Sequence, residues 1–227
     1  MLRARDAVCV LDGRAFEGSA AVDQGAFVIS VFDYGAGNLQ SVQNTLGAIG
    51  AEYELIRDAA SIERSHKIIL PGVGHFGQMM RALDSMGVRD ALVERIRVGI
   101  PFLGICLGLQ ALFTASEEAP EERGLGIYPG VVKRFQGDVR IPHMGWNNLQ
   151  PVIPDSRLLR GAGEQPYVYF ANSYYCPLIA ETSATCEYTR SFTAAVERYN
   201  VCGVQFHPEK SGAAGLKIVR NFIENVC

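Results

Sequence analysis

Short apolar runs alternate along the chain with segments in which apolar residues recur at helical spacing. Val28–Phe32 has the pattern of a buried strand, and Leu39–Ile49 then carries its apolar residues every three or four positions until Gly50. The next strands are predicted at Tyr53–Ile56 and Lys67–Leu70. Because strands that alternate with amphipathic helices build parallel sheets covered on both faces, an α/β fold is expected.

The second half of the chain has a different pattern, with Gly and Pro residues between short strands. Val131–Phe135 and Tyr167–Phe170 are predicted strands of this kind, and antiparallel pairing is expected here. The fold class is therefore a flavodoxin-like, mostly parallel sheet with helices on both faces and a smaller antiparallel section. A final helix is predicted from one apolar stripe, formed by Leu216, Val219, Ile223 and Val226.

The domain organisation follows from where these patterns begin. Residues 28–227 are predicted to form one domain, which suits a chain of 227 residues. Residues 1–27 are predicted to be an N-terminal extension of unknown structure. They include several charged residues and no continuous apolar run, so a secretory signal is not expected. Three interpretations of this extension remain open: a disordered tail, an added edge strand and the product of an upstream start choice.

Composition and charge argue against several classes of function. The chain is 48% hydrophobic and 20% charged, and no apolar run approaches the ~20 residues of a membrane span. A net charge of -3 without a basic cluster gives no basis for nucleic-acid or membrane partners. The six cysteines include no CxxC pair and no metal-ligand spacing, which predicts a cytoplasmic protein without a metal site.

The most informative motif is Gly104-Ile105-Cys106-Leu107-Gly108, which follows the apolar run Ile100–Leu103 and precedes a helix predicted to reach Phe113. A nucleophile on a tight strand-to-helix turn needs Gly two residues before and after it, because a Cβ there would collide with the neighbouring strand and helix. The Cys106 thiol would then lie at a helix N-terminus, where the thiolate is favoured and the Leu107 N–H faces a developing oxyanion. A buried structural Cys is the alternative.

A base for this thiol is predicted at His207, at the end of the apolar strand Gly203–Phe206. Pro208 fixes an extended geometry in which residues i and i+2 face the same side, so the Glu209 carboxylate can hold the His207 ring. Such a pair fixes the imidazole tautomer and stabilises the imidazolium that forms when a thiol gives up its proton. A surface turn would explain this motif alone, whereas the motif together with Cys106 indicates a Cys-His-Glu triad.

The loop Pro71–Gly77 is rich in glycine and follows a predicted strand. Its glycines match a dinucleotide pattern, but the required acidic residue about 20 positions further on is missing, so no cofactor is predicted. Adjacent parallel strands bring their carboxyl ends together. The N–H groups of Gly72, Val73 and Gly74 are therefore expected to serve the same oxyanion as Leu107.

The segment Pro142–Asn147 sets His143 and Met144 beside Trp146, the one Trp of the chain. An amphipathic cluster of this kind packs in a core more often than it forms a site, so core packing is predicted for His143. Trp and Met are also favoured at interfaces, which is the alternative.

Together these motifs resemble the class I glutamine amidotransferases, in which a Cys in G-x-C-x-G-x-Q is paired with a distant H-P-E. A finer resemblance, to the glutaminase subunits of imidazole glycerol phosphate synthase, runs from Val28 to the C-terminus, about seven-eighths of the chain. It is carried by Phe32–Leu39, Leu70–Gly74, Gly104–Gln110, Pro142–Asn147, Tyr169–Tyr175 and Gln205–Ser211.

This resemblance implies a mechanism. The Cys106 thiolate attacks the carboxamide of glutamine, and N–H groups of Leu107 and of the Gly72–Gly74 loop hold the oxyanion. His207 protonates the departing ammonia, and water hydrolyses the glutamyl thioester. Asn172 stands where the family pattern often has His. The residues that the resemblance assigns to the amino-acid end of glutamine are Gln110, Ser173 and Tyr174.

The resemblance also implies a partner. Ammonia would pass to a (β/α)₈ cyclase subunit, which forms imidazole glycerol phosphate and an aminoimidazole carboxamide ribonucleotide in histidine biosynthesis. The glycines beside Val73 would permit a peptide reorientation that the liganded partner promotes, so low activity is expected of the chain alone. The family positions that face the partner are Asn38, Trp146, Tyr169 and Lys210.

Other functions remain open at this point. The chain could serve as the glutaminase subunit of a different synthase. It could instead be a catalytically silent, flavodoxin-like regulatory module that retains the elbow. A cysteine hydrolase with the same sheet and elbow would call neither for Gln110 nor for the His207-Pro208-Glu209 ending.

Overall fold

An eight-stranded sheet lies between two layers of helices in the part of the chain that the computed structural model describes, residues 10–11, 14–15, 28–35 and 39–226. The strands are β1 Val10–Leu11, β2 Arg14–Ala15, β3 Ile29–Phe32, β4 Tyr53–Ile56, β5 Ile68–Gly72, β6 Phe102–Cys106, β7 Phe113–Ser116, β8 Tyr128–Arg134, β9 His143–Asn148, β10 Gln150–Pro151, β11 Tyr167–Asn172, β12 Tyr174–Tyr175, β13 Thr182–Glu187, β14 Ser191–Arg198 and β15 Val201–Val204. The helices are α1 Leu39–Ile49, α2 Ala59–Arg64, α3 Phe76–Ser85, α4 Arg89–Arg97, α5 Leu107–Ala111 and α6 Gly212–Asn225, with a 3-10 turn over Pro208–Lys210.

The strand order of the large sheet is β10-β13-β14-β15-β6-β5-β3-β4. The strands from β15 to β4 are parallel, whereas β10, β13 and β14 are antiparallel to their neighbours. Two smaller sheets, β9 with β11 and β7 with β8 and β12, cover part of the second half. This arrangement confirms the predicted fold class. Of the predicted extension 1–27, only β1 and β2, which pair with each other, lie within the described residues.

Two hydrophobic cores fill the space on the two faces of the sheet. Neighbouring residues of a buried strand face opposite sides, so Phe102 packs with the residues of α2, α3 and α4. Leu103 and Ile105 pack instead with those of α1 and α6. Strand β6 is buried along its whole length and delivers Cys106 to the carboxyl edge of the sheet.

Two element ends near Cys106 differ from the prediction. β5 runs past the predicted end to Gly72, because Gly72 pairs in parallel register with Cys106. The helix after Cys106 ends at Ala111 instead of Phe113. Phe113 opens β7, where it pairs with Tyr128. The carboxyl ends of β5 and β6 are therefore in direct backbone contact.

The predicted apolar stripe of α6 is confirmed except at its first residue. Val219 and Val226 are buried, Ile223 packs partly buried against the core, and Leu216 is exposed. The helix lies closest to the preceding turn at Gly215, where an added Cβ would come within 1.9 Å of Pro208 O. This close approach points the residues in phase with Gly215 toward the sheet, and the buried apolar residues are Ile218, Val219 and Phe222.

Candidate active site

Cys106 ends β6, and Leu107 begins α5 without an intervening loop. The backbone of Cys106 has φ 54° and ψ −107°, a conformation that L-residues rarely adopt and that costs about 1–3 kcal/mol. Its side chain is nearly buried but borders a pocket that is open to solvent. The strained turn therefore presents a thiol to the pocket from the edge of the sheet.

Gly104 and Gly108 allow this turn to pack. A Cβ on Gly108 would lie 1.9 Å from Leu70 O, and a Cβ on Gly104 would lie 2.5 Å from Gly108 O. Both distances are far inside van der Waals contact, so a side chain at either position would push the elbow away from β5. This geometry confirms the steric argument drawn from the sequence.

The end of β5 lies beside the elbow, as the sequence predicted. Val73 and Gly74 border the same pocket as Cys106. The Val73 N–H, however, donates to the Tyr34 hydroxyl at 3.1 Å. The expected oxyanion donor is therefore already occupied in this conformation, and its partner is a residue to which the sequence interpretation assigned no role.

His207 follows β15, the strand next to β6, and it borders the same pocket as Cys106. Its Nδ1 lies 2.8 Å from Glu209 Oε1, and both side chains are almost completely buried. Glu209 belongs to the 3-10 turn Pro208–Lys210. The predicted contact between His207 and Glu209 is therefore confirmed, but the predicted extended backbone is wrong, because a turn brings the carboxylate to the ring.

The protonation of His207 depends on two opposing effects. Burial favours the neutral ring, whereas the Cys106 side chain and the Glu209 carboxylate favour the imidazolium, and together they raise the pKa of His207 from 6.5 to about 10. An imidazolium next to a thiol stabilises the thiolate. At neutral pH the ring therefore holds a proton that it can give to a leaving group.

A buried amide network, which the sequence interpretation missed, joins Cys106 to the rest of the pocket. Gln205 Nε2 donates to Cys106 Sγ at 3.7 Å, and Gln205 Oε1 accepts from Gln110 Nε2 at 3.1 Å. Gln110 also donates to Tyr174 O at 3.1 Å. The available signal was a Gln within the apolar run that ends at Phe206, because a polar residue in a buried strand needs partners.

The pocket beside Cys106 has a volume of about 320 Å³, which is typical of sites for small ligands. Asn172 donates to Tyr174 O at 2.9 Å, and its Oδ1 has no partner among the described residues although it is buried. Glu118 also borders the pocket and accepts a hydrogen bond from the Phe76 N–H at 2.7 Å. The sequence interpretation missed Glu118, which lies in a loop without a motif. The predicted substrate-binding residues that border the pocket are Gln110, Ser173 and Tyr174.

Three aromatic residues lie together on the paired strands β9 and β11. We call Trp146, Tyr167 and Tyr169 the aromatic surface. Trp146 is 46% exposed. Its ring stacks on Tyr167 with centroids 5.5 Å apart and meets Tyr169 edge-on at 6.1 Å. Lys210, which borders the pocket, places Nζ 5.8 Å from the centroid of the Tyr169 ring. Trp146, Tyr169 and Lys210 therefore lie together, whereas Asn38, the fourth predicted interface residue, lies outside the described residues.

His143 packs in the core, as predicted. Its ring stacks between Phe170 and Tyr188, with centroid distances of 4.8 and 4.0 Å. Nδ1 is buried and has no hydrogen-bond partner in the described part of the chain. Burial lowers the pKa of His143 from 6.5 to about 4, so the ring is neutral at physiological pH.

The described residues hold neither a cluster suited to a metal ion nor a helix that could span a membrane. Within residues 28–35 and 39–226, no three His, Cys, Asp or Glu side chains are grouped so that they could hold a metal ion. No helix described there is long and apolar enough to cross a bilayer; α6 has 14 residues, whereas a span needs about 20.

Known proteins with this fold identify the class of protein to which the chain belongs. The family described as "Glutamine amidotransferase class-I" matches residues 30–226. A solved structure described as "Crystal structure of glutamine amidotransferase" superposes with a TM-score of 0.69 at 21% identity, over 87% of this chain and 97% of that one. "Structure of PurLQS from Thermotoga maritima" gives a TM-score of 0.69 at 18% identity, over 88% and 98%. The chain belongs to the class I glutamine amidotransferases.

Curated relatives narrow this class. Imidazole glycerol phosphate synthase subunit HisH of Methanothermobacter thermautotrophicus is 46% identical over 198 residues, which cover 87% of this chain and 98% of the relative. The subunit of the same name from Chlorobium luteolum is 43% identical over 201 residues, 87% of this chain and 100% of the relative. Imidazole glycerol phosphate synthase hisHF, chloroplastic, of Arabidopsis thaliana is 44% identical over 202 residues, but the match covers 34% of its length. Within its class, the chain belongs to the HisH family.

Proposed function

We propose that this chain is the glutaminase subunit of an imidazole glycerol phosphate synthase and that Cys106, His207 and Glu209 are its catalytic triad. Membership of the HisH family supports the reaction, the hydrolysis of glutamine to glutamate and ammonia. The observation that carries the assignment of residues is the strained elbow, which sets the Cys106 thiol against the buried His207–Glu209 pair on an open pocket. Nucleophile, base and orienting acid in this arrangement perform acyl transfer on many folds.

The first half-reaction forms a thioester. The Cys106 thiolate attacks the carboxamide carbon of glutamine, and a C–S bond forms while the carbonyl oxygen takes up negative charge. The C–N bond then breaks, and the His207 imidazolium gives its proton to the departing nitrogen, so that ammonia leaves. Glu209 holds the ring through Nδ1 and keeps the other ring nitrogen directed at the reaction.

The second half-reaction restores the enzyme. Neutral His207 accepts a proton from a water molecule, whose oxygen attacks the thioester carbon. The C–S bond breaks, glutamate leaves, and Cys106 and His207 regain the thiolate and imidazolium forms. No cofactor enters this proposal.

Charge on the oxyanion requires backbone donors. We assign one to the Leu107 N–H, at the start of α5, and the other to the Gly72–Gly74 loop beside it. Loss of one such donor slows turnover by about 10²–10³ in enzymes of acyl transfer. Because the Val73 N–H is bonded to Tyr34 in the described conformation, the loop must rearrange before this donor can act.

The pocket suits a free amino acid. Glutamine carries an α-ammonium and an α-carboxylate, and we assign its amino-acid end to Gln110, Ser173 and Tyr174. Glu118 borders the same pocket, and its carboxylate is suited to the α-ammonium. These groups hold the substrate so that the carboxamide reaches Cys106.

A (β/α)₈ cyclase subunit is the proposed partner. Aromatic side chains are enriched at interface centres, and Trp146 and Tyr169 provide them beside the pocket, with Lys210 next to the Tyr169 ring. Asn38 is assigned to the same face on the resemblance alone. The Arabidopsis relative, of whose length this chain matches about a third, supports a larger assembly around this subunit.

The partner explains the use of ammonia. In neutral water ammonia becomes ammonium and is no longer a nucleophile, so it must pass directly to the cyclase. There it is used to form imidazole glycerol phosphate and an aminoimidazole carboxamide ribonucleotide in histidine biosynthesis. We place this activity in the cytoplasm, because the buried free thiols Cys106, Cys176, Cys186 and Cys202 suit a reducing compartment.

The test is a reconstitution. The full chain is mixed with a histidine-pathway cyclase and its ribonucleotide substrate, and product formation is measured with glutamine or with ammonium as the nitrogen donor. We expect glutamine to replace ammonium when both proteins are present, with one glutamate released per product. Product that depends on ammonium alone would contradict the proposed function.

A matched variant assigns the site. Cys106→Ala removes the nucleophile, so the assembled complex should keep its ammonium-dependent activity and lose its glutamine-dependent activity. Unchanged release of ammonia from glutamine would show that the elbow is not the site. Copurification with a synthase outside histidine biosynthesis would favour a glutaminase of a different pathway.

A further inference from the structure

A single phenol hydroxyl holds both backbone polar groups of Val73. The Tyr34 hydroxyl donates to Val73 O at 3.2 Å and accepts from the Val73 N–H at 3.1 Å. The N–H···O bond has a usual length for its type, whereas the O–H···O bond is long. The residue whose N–H is expected at the oxyanion is therefore held by a side chain from the end of a different strand, β3.

The segment that carries Tyr34 is itself anchored. Asp33 Oδ1 accepts from the Gly35 N–H at 2.9 Å, and Asp33 Oδ2 accepts from Arg57 Nε at 2.8 Å. Asp33 is buried. Burial also raises the pKa of Tyr34 to about 12, so its hydroxyl keeps the proton that it donates to Val73 at physiological pH. Tyr34 is thus a fixed and always protonated holding group.

The two hydrogen bonds oppose use of the Val73 N–H in catalysis. The peptide between Gly72 and Val73 must rotate to direct this N–H at an oxyanion on Cys106, and rotation breaks its bond to Tyr34. This rotation changes ψ of Gly72 and φ of Val73, and Gly72 has no Cβ to restrict its ψ. The resistance then comes from the Tyr34 hydroxyl.

We infer that Tyr34 is a positioning residue that keeps the oxyanion loop in its resting conformation and so restrains glutaminase turnover until the partner is bound. This inference rests on the proposed function. Removal of the hydroxyl leaves the Val73 N–H and C=O without these partners in the resting conformation, which raises its free energy. The rotated conformation, in which the N–H meets the oxyanion, becomes easier to reach.

The test compares Tyr34→Phe with the unaltered chain. Without cyclase, we expect kcat for glutamate release to rise about tenfold, which is the effect of losing a hydrogen bond and its buried partner. KM should stay the same, because only the transition state uses the oxyanion donor. With cyclase and ribonucleotide, turnover should lie within about twofold of the unaltered complex, so the degree of activation falls.

Two thiol reagents distinguish restraint of the oxyanion loop by Tyr34, which we call the latch, from a general loosening of the site. A chloromethyl ketone analogue of glutamine places a carbonyl oxygen at the oxyanion position. Iodoacetamide reacts at its CH₂–I carbon, so its alkylation of the thiol forms no oxyanion. Tyr34→Phe should speed inactivation by the ketone and leave the iodoacetamide rate unchanged. Equal acceleration of both reagents would indicate a loosened pocket and overturn the inference.

Control variants keep the outcome interpretable. Tyr128→Phe removes another buried tyrosine hydroxyl, which donates to Val201 O at 3.3 Å in the core, and should leave basal turnover unchanged. Tyr34→Leu removes the hydroxyl within a different side chain and should raise basal turnover in the same direction as Tyr34→Phe. Thermal unfolding of each variant checks that it folds.

The outcomes distinguish the two proposals. In one outcome, the Cys106→Ala complex loses glutamine-dependent activity while both Tyr34 variants keep their basal turnover unchanged. This result would overturn the inference about Tyr34 and support the proposed function. Lower turnover of Tyr34→Phe with and without cyclase would show that Tyr34 supports the active conformation. This result would also overturn the inference. No glutamine-dependent activity in the unaltered complex would refute the proposed function itself.

Discussion

Replacement of Glu209 by Gln tests how the base of the proposed triad is held. The change keeps the size of the side chain and removes its charge from a contact in which Nδ1 of His207 lies 2.8 Å from Oε1. Both side chains are buried from water, so solvent screens this contact little. The variant therefore changes the electrostatics of His207 with little change in packing.

The magnitude follows from the contact. A hydrogen bond to a charged group contributes about 1.5–3 kcal/mol, which corresponds to about 10- to 150-fold in rate if it is used in the transition state. An amide can also present an N–H to Nδ1 and invert the imidazole tautomer, and in a Ser-His-Asp triad that inversion reduces turnover by about 10⁴. We therefore expect glutamine-dependent turnover of Glu209→Gln to fall by at least about tenfold.

The pH dependence gives a second signature with a defined sign. The pKa of His207 is raised from 6.5 to about 10 in the folded chain, so the native state retains a proton that the unfolded chain loses. This stabilisation is fully present below pH 6.5 and is lost as the pH rises through about 10. Glu209→Gln removes one cause of the raised pKa. Its deficit in unfolding free energy should be widest near pH 6 and shrink toward pH 10.

The assay is glutamate release in the assembled complex, combined with denaturant unfolding of the isolated chain across this pH range. Glu224→Gln is the control, because Glu224 forms an exposed pair with Arg220 at 3.6 Å and such pairs contribute at most about 1 kcal/mol. It should alter neither turnover nor its pH profile. Turnover of Glu209→Gln within threefold of the unaltered complex would refute the role given to Glu209.

Three further predictions concern stability and packing. Gly108→Ala places a Cβ 1.9 Å from Leu70 O, so it should lower the unfolding free energy by at least about 2 kcal/mol and abolish turnover. Gly47→Ala, in open space on α1, is the control and should be neutral or slightly stabilising in the same denaturant experiment. Because the pKa of His143 is lowered to about 4, the chain should lose about 2–3 kcal/mol as the pH falls from 6.5 to 4, and His143→Phe should flatten that part of the pH–stability curve. Lys67→Met removes an ammonium that donates to Phe222 O, Ile223 O and Val226 O at 3.1, 2.7 and 2.6 Å, so denaturation should show a loss of about 2–4 kcal/mol.

The sequence predicted those parts of the molecule that depend on local pattern. Alternation of apolar runs and helical periodicity was sufficient for the parallel half, and Gly50 ends α1 with the positive φ expected there. The elbow was predictable because its glycines are required by contacts within a few residues of Cys106 and on the adjacent strand. The pairing of His207 with Glu209 was predictable because they lie two positions apart, even though the backbone between them is a turn.

The parts that the sequence did not predict depend on contacts between distant segments. Tyr34 and Val73 are 39 residues apart and meet only because β3 and β5 are neighbours in the sheet. Gln205 reaches Gln110 across 95 residues for the same kind of reason. Leu216 was assigned to the buried face of α6 from periodicity, but the close approach of Gly215 to the preceding turn sets the actual rotation of the helix.

The proposed base and the proposed oxyanion donor differ in how firmly hydrogen bonds hold them. The His207 backbone donates to Tyr169 O at 2.8 Å and accepts from Ser211 Oγ at 2.6 Å, and its ring is fixed by Glu209. Val73 N–H and C=O are held at the loop by one phenol hydroxyl. A partner that binds the aromatic surface can change the loop at lower free energy than it can move the base. We therefore expect control of turnover to act on the oxyanion donor, so that docking of the partner accelerates amide hydrolysis while the thiol reacts with iodoacetamide at an unchanged rate.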